Sequence, residues 1–160
     1  MLRRADTLTA RCDQMLKRLF DIAVAGFILI LLSPLLIPVV ILLRTTGERH
    51  VFYRQKRLGR HWQEFDILKF ATMLKDSPNL TGGDITVGDD PRILPVGRFL
   101  RTTKINELPQ LFNVLLGDMS LVGPRPMTRR VIGLFPPEHA GRIGHLRPGI
   151  TGVGSIVFRS

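Results

Sequence analysis

Only one cysteine, one tyrosine and one tryptophan occur among the 160 residues. A lone Cys12 excludes an internal disulfide and suits a cytoplasmic setting. With so few large aromatics, and none interleaved with basic residues, the chain lacks the stacking platforms of RNA-binding modules. Nucleic acid is therefore not an expected partner. His50, His61, His139 and His145 show no metal-ligand spacing. The nearest two, His139 and His145, would face different sides of a helix, and all four read as surface or packing residues. No internal repeat or low-complexity tract is present. Acidic residues are the minority, with Asp+Glu 13 against Lys+Arg 23 and a formal charge of +10. Such an excess points to anionic partners, either phospholipid headgroups or phosphorylated substrates.

Charge is also missing from one long stretch. Ile22 to Leu43 contains no ionisable residue, and about 20 such residues span a bilayer core as a helix. Ser33-Pro34 interrupts the run near its centre, and Pro38 follows a turn later. Each proline lacks an N–H and clashes with the carbonyl four residues back, here Ile30 and Pro34. Lys17 and Arg18 flank one end, Arg44 and Arg49 the other. Cytoplasmic flanks carry the Lys/Arg excess, so basic residues at both ends favour a helix that enters, kinks at Ser33-Pro34 and returns to the same face. A kinked spanning helix is the competing reading, since neighbours can satisfy the freed backbone groups. A secretory signal fits poorly, because the basic region is long and no small-residue cleavage site follows Leu43. A fully buried core helix fits poorly too, for want of chain to cover it.

Leu8, Cys12, Met15, Leu16 and Leu19 recur at helical spacing among Arg3, Arg4, Arg11, Lys17 and Arg18, as in a helix lying at a membrane interface. Val51–Tyr53 and Phe65–Leu68 predict two short strands around Leu58-Gly59-Arg60, a hairpin. Ser77 to Pro95 is rich in Gly, Asp, Pro and Thr and predicts a long loop. Pro95 to Leu100 predicts one or two helical turns. Asn106 to Gly117 predicts a helix with Asn106 as N-cap, Pro109 in the first turn and Gly117 at the end. Met119 to Val122 predicts a short apolar strand or turn, Gly123 to Pro126 a rigid loop, and Pro137 to Leu146 a further helix.

Three groups of residues are suited to phosphate. Lys69 follows a strand, Arg98, Arg101 and Lys104 precede the helix starting at Asn106, and Arg125 is held between two prolines. A helix start attracts anions through its free N–H groups. Glu107, at that start, could hold a divalent cation against a diphosphate, as Mg²⁺ commonly sits between one or two carboxylates and substrate oxygens.

The run from Leu100 to Pro126, Leu-Arg-Thr-Thr-Lys-Ile-Asn-Glu-Leu-Pro-Gln-Leu-Phe-Asn-Val-Leu-Leu-Gly-Asp-Met-Ser-Leu-Val-Gly-Pro-Arg-Pro, resembles the signature of the bacterial sugar transferases, monotopic polyprenyl-phosphate phosphoglycosyl transferases. Lys17–Ile22, Ser33-Pro34-Leu35, Val51–Gln55, Lys69-Phe70, Asp90–Ile93 and Pro148–Gly152 are similar to the family in the same order. The resemblance implies transfer of a sugar 1-phosphate from a UDP-sugar to undecaprenyl phosphate, giving a polyprenyl-diphosphate sugar and UMP. That reaction opens the assembly of exopolysaccharide, capsule, O-antigen or glycoprotein glycans. It also implies Mg²⁺, a re-entrant helix broken at Ser33 and Pro34, and the bacterial inner membrane with the soluble part on its cytoplasmic face. A homodimer or downstream glycosyltransferases are further candidate partners. By motif position, Glu107 would coordinate the metal. Lys69, Arg101 and Arg125 would hold phosphates, and Arg147 would meet the donor's phosphate or nucleotide.

The family uses an Asp-Glu dyad in which Asp attacks the diphosphate to form a phosphosugar-enzyme. Here that dyad is Asn106-Glu107, and a neutral amide oxygen is a poor nucleophile. Three readings stay open: a silent form; attack by Glu107 or another carboxylate such as Asp90; or direct transfer, with position and charge activating the acceptor. The family's Arg after Lys69-Phe70 is Ala71. The expected architecture is mainly α with a short β-hairpin (α+β), monotopic. Residues 1–44 would form the interfacial and re-entrant helix, and 45–160 a catalytic domain expected to be C-terminally incomplete. The alternative is a catalytically silent relative that binds UDP-sugar or polyprenyl phosphate and partners an active transferase. A basic peripheral membrane protein would explain the anchor and charge but not the motif run.

Overall fold

The computed structural model describes residues 2–46, 49–74 and 90–152. The chain is mainly helical. Helix α1 (Leu2–Thr45) leads into β1 (Phe52–Leu58) and β2 (Glu64–Phe70), then α2 (Pro95–Thr102). There follow α3 (Gln110–Leu116), β3 (Ser120–Val122), α4 (Arg129–Ile132), α5 (Pro137–Gly144) and β4 (Gly149–Thr151). Strands β1 and β2 pair as the expected hairpin, closed by a 3-10 turn at Arg60–Trp62. Strands β3 and β4 pair in parallel, with Ser120 opposite Gly149 and Val122 opposite Thr151.

Helix α1 contains both Pro34 and Pro38 and is not ended by either. Each proline still deletes a backbone hydrogen bond, at a cost of about 3 kcal/mol in an ordinary helix interior. Cys12–Thr45 is long and apolar enough to cross a membrane. Phe27, Ile30, Leu31, Leu35 and Ile37 are exposed along it.

Two compact units interleave along the chain, and α1 and the hairpin contribute to both. The first comprises residues 1–31, 56–65 and 111–160. Within it, the Asp21 carboxylate is 3 % exposed. It accepts hydrogen bonds from the Ser120 hydroxyl (2.8 Å) and the Leu121 N–H (3.2 Å), and pairs with Lys17 (3.4 Å). Lys17 also donates to Ser120 Oγ. This cluster joins α1 to β3 just before the apolar run begins. Arg18 donates to the Val114 and Leu115 carbonyls at the end of α3, where Val114 also accepts from the Gly117 N–H.

The second unit comprises residues 32–55 and 66–110. Its core gathers Val39, Leu43, Val51, Phe70 and Leu100, with Leu36, Val40, Val96 and Ile105 packed around them. The last turns of α1 are thus part of a globular core, while Phe27, Ile30 and Leu31 before them stay exposed. Helix α2 lies so close to the strand following β2 that a Cβ at Gly97 would collide with the Thr72 backbone.

One helix starts later than expected. Asn106 is not an N-cap: Ile105–Glu107 form a 3-10 turn entered through Lys104 at φ 62°, and α3 begins at Gln110. Pro109, between that turn and α3, has no N–H to donate to the Ile105 carbonyl. The Leu108 N–H takes that carbonyl instead. The loop expected over Ser77 to Pro95 lies outside the described residues as far as 89. Its described end forms a bridge between Met73 and Ile93.

Candidate active site

The second unit assembles most of the predicted chemistry. Lys69 stands near the end of β2, between Leu68 and the core residue Phe70. Its ammonium lies 3.7 Å from the Glu107 carboxylate, and both side chains are partly exposed. Glu107 ends the 3-10 turn against which α2 packs, and Arg101 is in the last turn of α2. Burial of Leu100 and Ile105 therefore positions Arg101 and the turn, just as Phe70 positions Lys69.

Asn106 is 9 % exposed, and its Oδ1 has no hydrogen-bond partner among the described residues. A buried, unpaired acceptor costs roughly 1–3 kcal/mol. Such a cost is tolerated most readily where the atom has a ligand to meet. No trio of His, Cys, Asp or Glu among the described residues forms a ready-made metal site. The Asn106 amide oxygen and the Glu107 carboxylate are nevertheless hard oxygen donors on adjacent residues. With diphosphate oxygens completing the shell, that donor set fits Mg²⁺.

Asp90, one of the alternative nucleophiles, is committed elsewhere. Arg92 clamps it through Nε to Oδ1 (2.8 Å), Nη2 to Oδ2 (2.6 Å) and its backbone N–H to Oδ1 (3.0 Å). Hydrogen bonding from the Arg92 side chain holds the Asp90 pKa down to about 2, against the desolvation that would raise it, and the charge of Arg101 lowers it further. A carboxylate held this way is stabilised as an anion and is correspondingly less nucleophilic.

Arg125 and Arg147 belong to the first unit. Arg125 is exposed between Pro124 and Pro126 and borders a small cavity with Trp62 and Met127. Arg147 precedes Pro148 and β4, half-buried in a cleft that Arg18 and Arg60 also line. Ser33 and Pro34 lie within α1, just past the Leu31–Leu32 division between the units. Sequence reasoning missed the roles of Asp21, Arg60 and Arg92. Asp21 did carry a signal, an acid four residues after Lys17 at the edge of an uncharged run.

Residues 12–160 match the family model described as bacterial sugar transferase. The chain belongs to the bacterial sugar transferase family. It is 36 % identical to the undecaprenyl-phosphate galactose phosphotransferase of Salmonella typhimurium over all of this chain and 36 % of that protein. It is 39 % identical to the exopolysaccharide production protein PSS of Rhizobium leguminosarum bv. phaseoli, over 90 % of this chain and 74 % of that protein. With the undecaprenyl-phosphate glucose phosphotransferase of Komagataeibacter xylinus the identity is 38 %, over 90 % of this chain and 28 % of the relative. The chain thus spans about a third of the two phosphotransferases and most of PSS. Within this sugar transferase, the run from Leu100 to Pro126 extends from the last turn of α2 through the 3-10 turn, α3 and β3.

Proposed function

We propose that this sugar transferase moves a sugar 1-phosphate from a UDP-sugar to undecaprenyl phosphate, releasing UMP, as the first step of exopolysaccharide, capsule, O-antigen or glycoprotein glycan assembly. The observation that carries this reading is the Lys69–Glu107 pair beside the unbonded Asn106 Oδ1, within the signature run. The exposed apolar length of α1 and the basic residues at both its ends support attachment to the cytoplasmic face of the inner membrane, with a bend at Ser33-Pro34.

Direct transfer suits these residues best. A phosphate oxygen of the acceptor attacks the sugar-bearing phosphorus of the donor. The bond from that phosphorus to the oxygen bridging to UMP breaks, and its electron pair leaves with UMP. Lys69 and Arg101 stabilise charge on the transferring phosphoryl group. Glu107 and the Asn106 amide oxygen would hold Mg²⁺, whose contribution when bound is to neutralise the diphosphate. Asn106 forms no covalent intermediate, because its amide has no anionic oxygen to offer.

The second reading is a silent relative that binds a UDP-sugar or polyprenyl phosphate beside an active transferase, and Asn106 is what favours it. UMP release from a panel of UDP-sugars, with undecaprenyl phosphate and Mg²⁺ in detergent, separates the two. Turnover by the natural chain, lost in Glu107→Gln, supports direct transfer. Turnover only in Asn106→Asp supports the silent form on an intact scaffold. Silence in both, with UDP-sugar binding retained, leaves a binding role alone.

A further inference from the structure

A cleft built wholly by the first unit is lined by Lys17, Arg18, Arg60 and Arg147, with Asp21 as its one carboxylate. We propose that it binds the phosphate headgroup of a membrane lipid.

The cations are organised rather than scattered. Arg18 is tied to the Val114 and Leu115 carbonyls, Arg60 through Nε to the His145 carbonyl (3.1 Å), and Lys17 to Asp21 and Ser120. Each guanidinium has five N–H donors, so these ties leave donors over. Arg147 forms no hydrogen bond or ion pair among the described residues, and it is the member held by the backbone alone. Gly123 makes that placement feasible, since a Cβ there would collide with the Arg147 carbonyl. Arg147 is burdened by burial and by the like charges of Arg18 and Arg60, both of which depress its pKa. An anion in the cleft would offset that repulsion. Phosphate is the anion whose oxygens match several guanidinium forks at once.

The cleft's position along α1 favours a lipid as the source of the phosphate. Gln14, Lys17, Arg18 and Asp21 line it from the turns that immediately precede the uncharged run. Met15, Leu16, Leu19 and Phe20, on other faces of those same turns, are each more than 60 % exposed. A phosphate in the cleft would therefore lie at the level along α1 where the helix presents its apolar surface to lipid. The other source of the same chemistry is a nucleotide phosphate. Lipid binding here is independent of whether the chain turns over a sugar donor.

The test is binding to the full chain in dodecyl maltoside, followed by native mass spectrometry. The probes are dioleoyl phosphatidic acid, dioleoyl phosphatidylcholine and UMP. Phosphatidic acid should bind in preference to phosphatidylcholine. Arg147→Gln and, independently, Arg60→Gln should each weaken it about tenfold, the loss of one charge-assisted contact. Arg147→Lys should recover part of the affinity, and Arg142→Gln, on the exposed face of α5, should leave it unchanged. Circular dichroism identifies any variant that has unfolded, and the other arginine then decides. Equal binding of the two lipids overturns the proposal, as does binding indifferent to both arginines. UMP binding that depends on Arg147 and Arg60, with no phosphatidic acid bound, overturns the lipid assignment in favour of a nucleotide.

Discussion

Two charged groups of residues, one in each unit, differ in balance. In the second unit, two carboxylates each have a cation of their own: Arg92 clamps Asp90 and Lys69 faces Glu107. In the cleft of the first, four cations surround one carboxylate. Matched charges fix geometry, and removing one partner strands the other. An unmatched excess raises the free energy of the empty protein and lowers it when an anion arrives. The clamp on Asp90 thus fixes geometry, whereas the excess of cations in the cleft favours an incoming anion.

The largest effect expected from breaking this contrast is on activity. Glu107→Gln removes the carboxylate facing Lys69 and the metal's only anionic protein donor in the proposed set. UMP release should fall by about a hundredfold or more, measured at saturating UDP-sugar. If turnover is unchanged, the Lys69–Glu107 pair is not the reaction centre.

Next is the core beneath that site. Leu100, 1 % exposed, packs beside Arg101, and Leu100→Ala should cost about 2–5 kcal/mol by creation of a cavity. Chemical denaturation in detergent measures it. A loss well below that range would mean the second unit's core can collapse around the gap.

The acid limb tests the Asp90–Arg92 clamp. The Asp90 pKa is lowered from 3.8 to about 2, so the folded state binds that proton less tightly than the unfolded one. Its contribution to stability is complete above about pH 4 and is lost as pH falls through about 2. Asp90→Asn should melt at lower temperature at neutral pH, and the gap from the natural chain should narrow on acidification. A gap constant from pH 6 to pH 2 would mean the clamp does not survive in solution.

The smallest effect is the sharpest contrast. Arg147→Gln, without added phosphate or lipid, should leave the melting temperature unchanged or slightly raised, because it relieves repulsion from Arg18 and Arg60. Arg92→Gln, which strands Asp90, should lower it clearly. If both variants melt alike, the difference between matched and unmatched charge has no energetic content.

Much of the fold was legible along the chain. Alternation and a central Gly marked the hairpin, the uncharged run marked α1, and Pro95 and Pro137 marked the starts of α2 and α5 through their fixed φ. The parallel pairing of β3 with β4 was not legible, because three-residue strands carry too little periodicity and their partners are remote in sequence. The late start of α3 is not legible: Asn106 is a good N-cap residue, and Pro109 in the first turn is compatible with a helix from there. In the site, Lys69, Arg101 and Glu107 stood out by motif, whereas the commitment of Asp90 to Arg92 required coordinates.

The order of residues alone settled the apolar helix, the basic excess and the family, since composition and local pattern need no neighbours to be read. Tertiary structure decided which charges are paired, which polar atom is buried without a partner, and which arginines converge on one cleft. Those depend on distance and burial between segments far apart in the chain, and no local pattern encodes either.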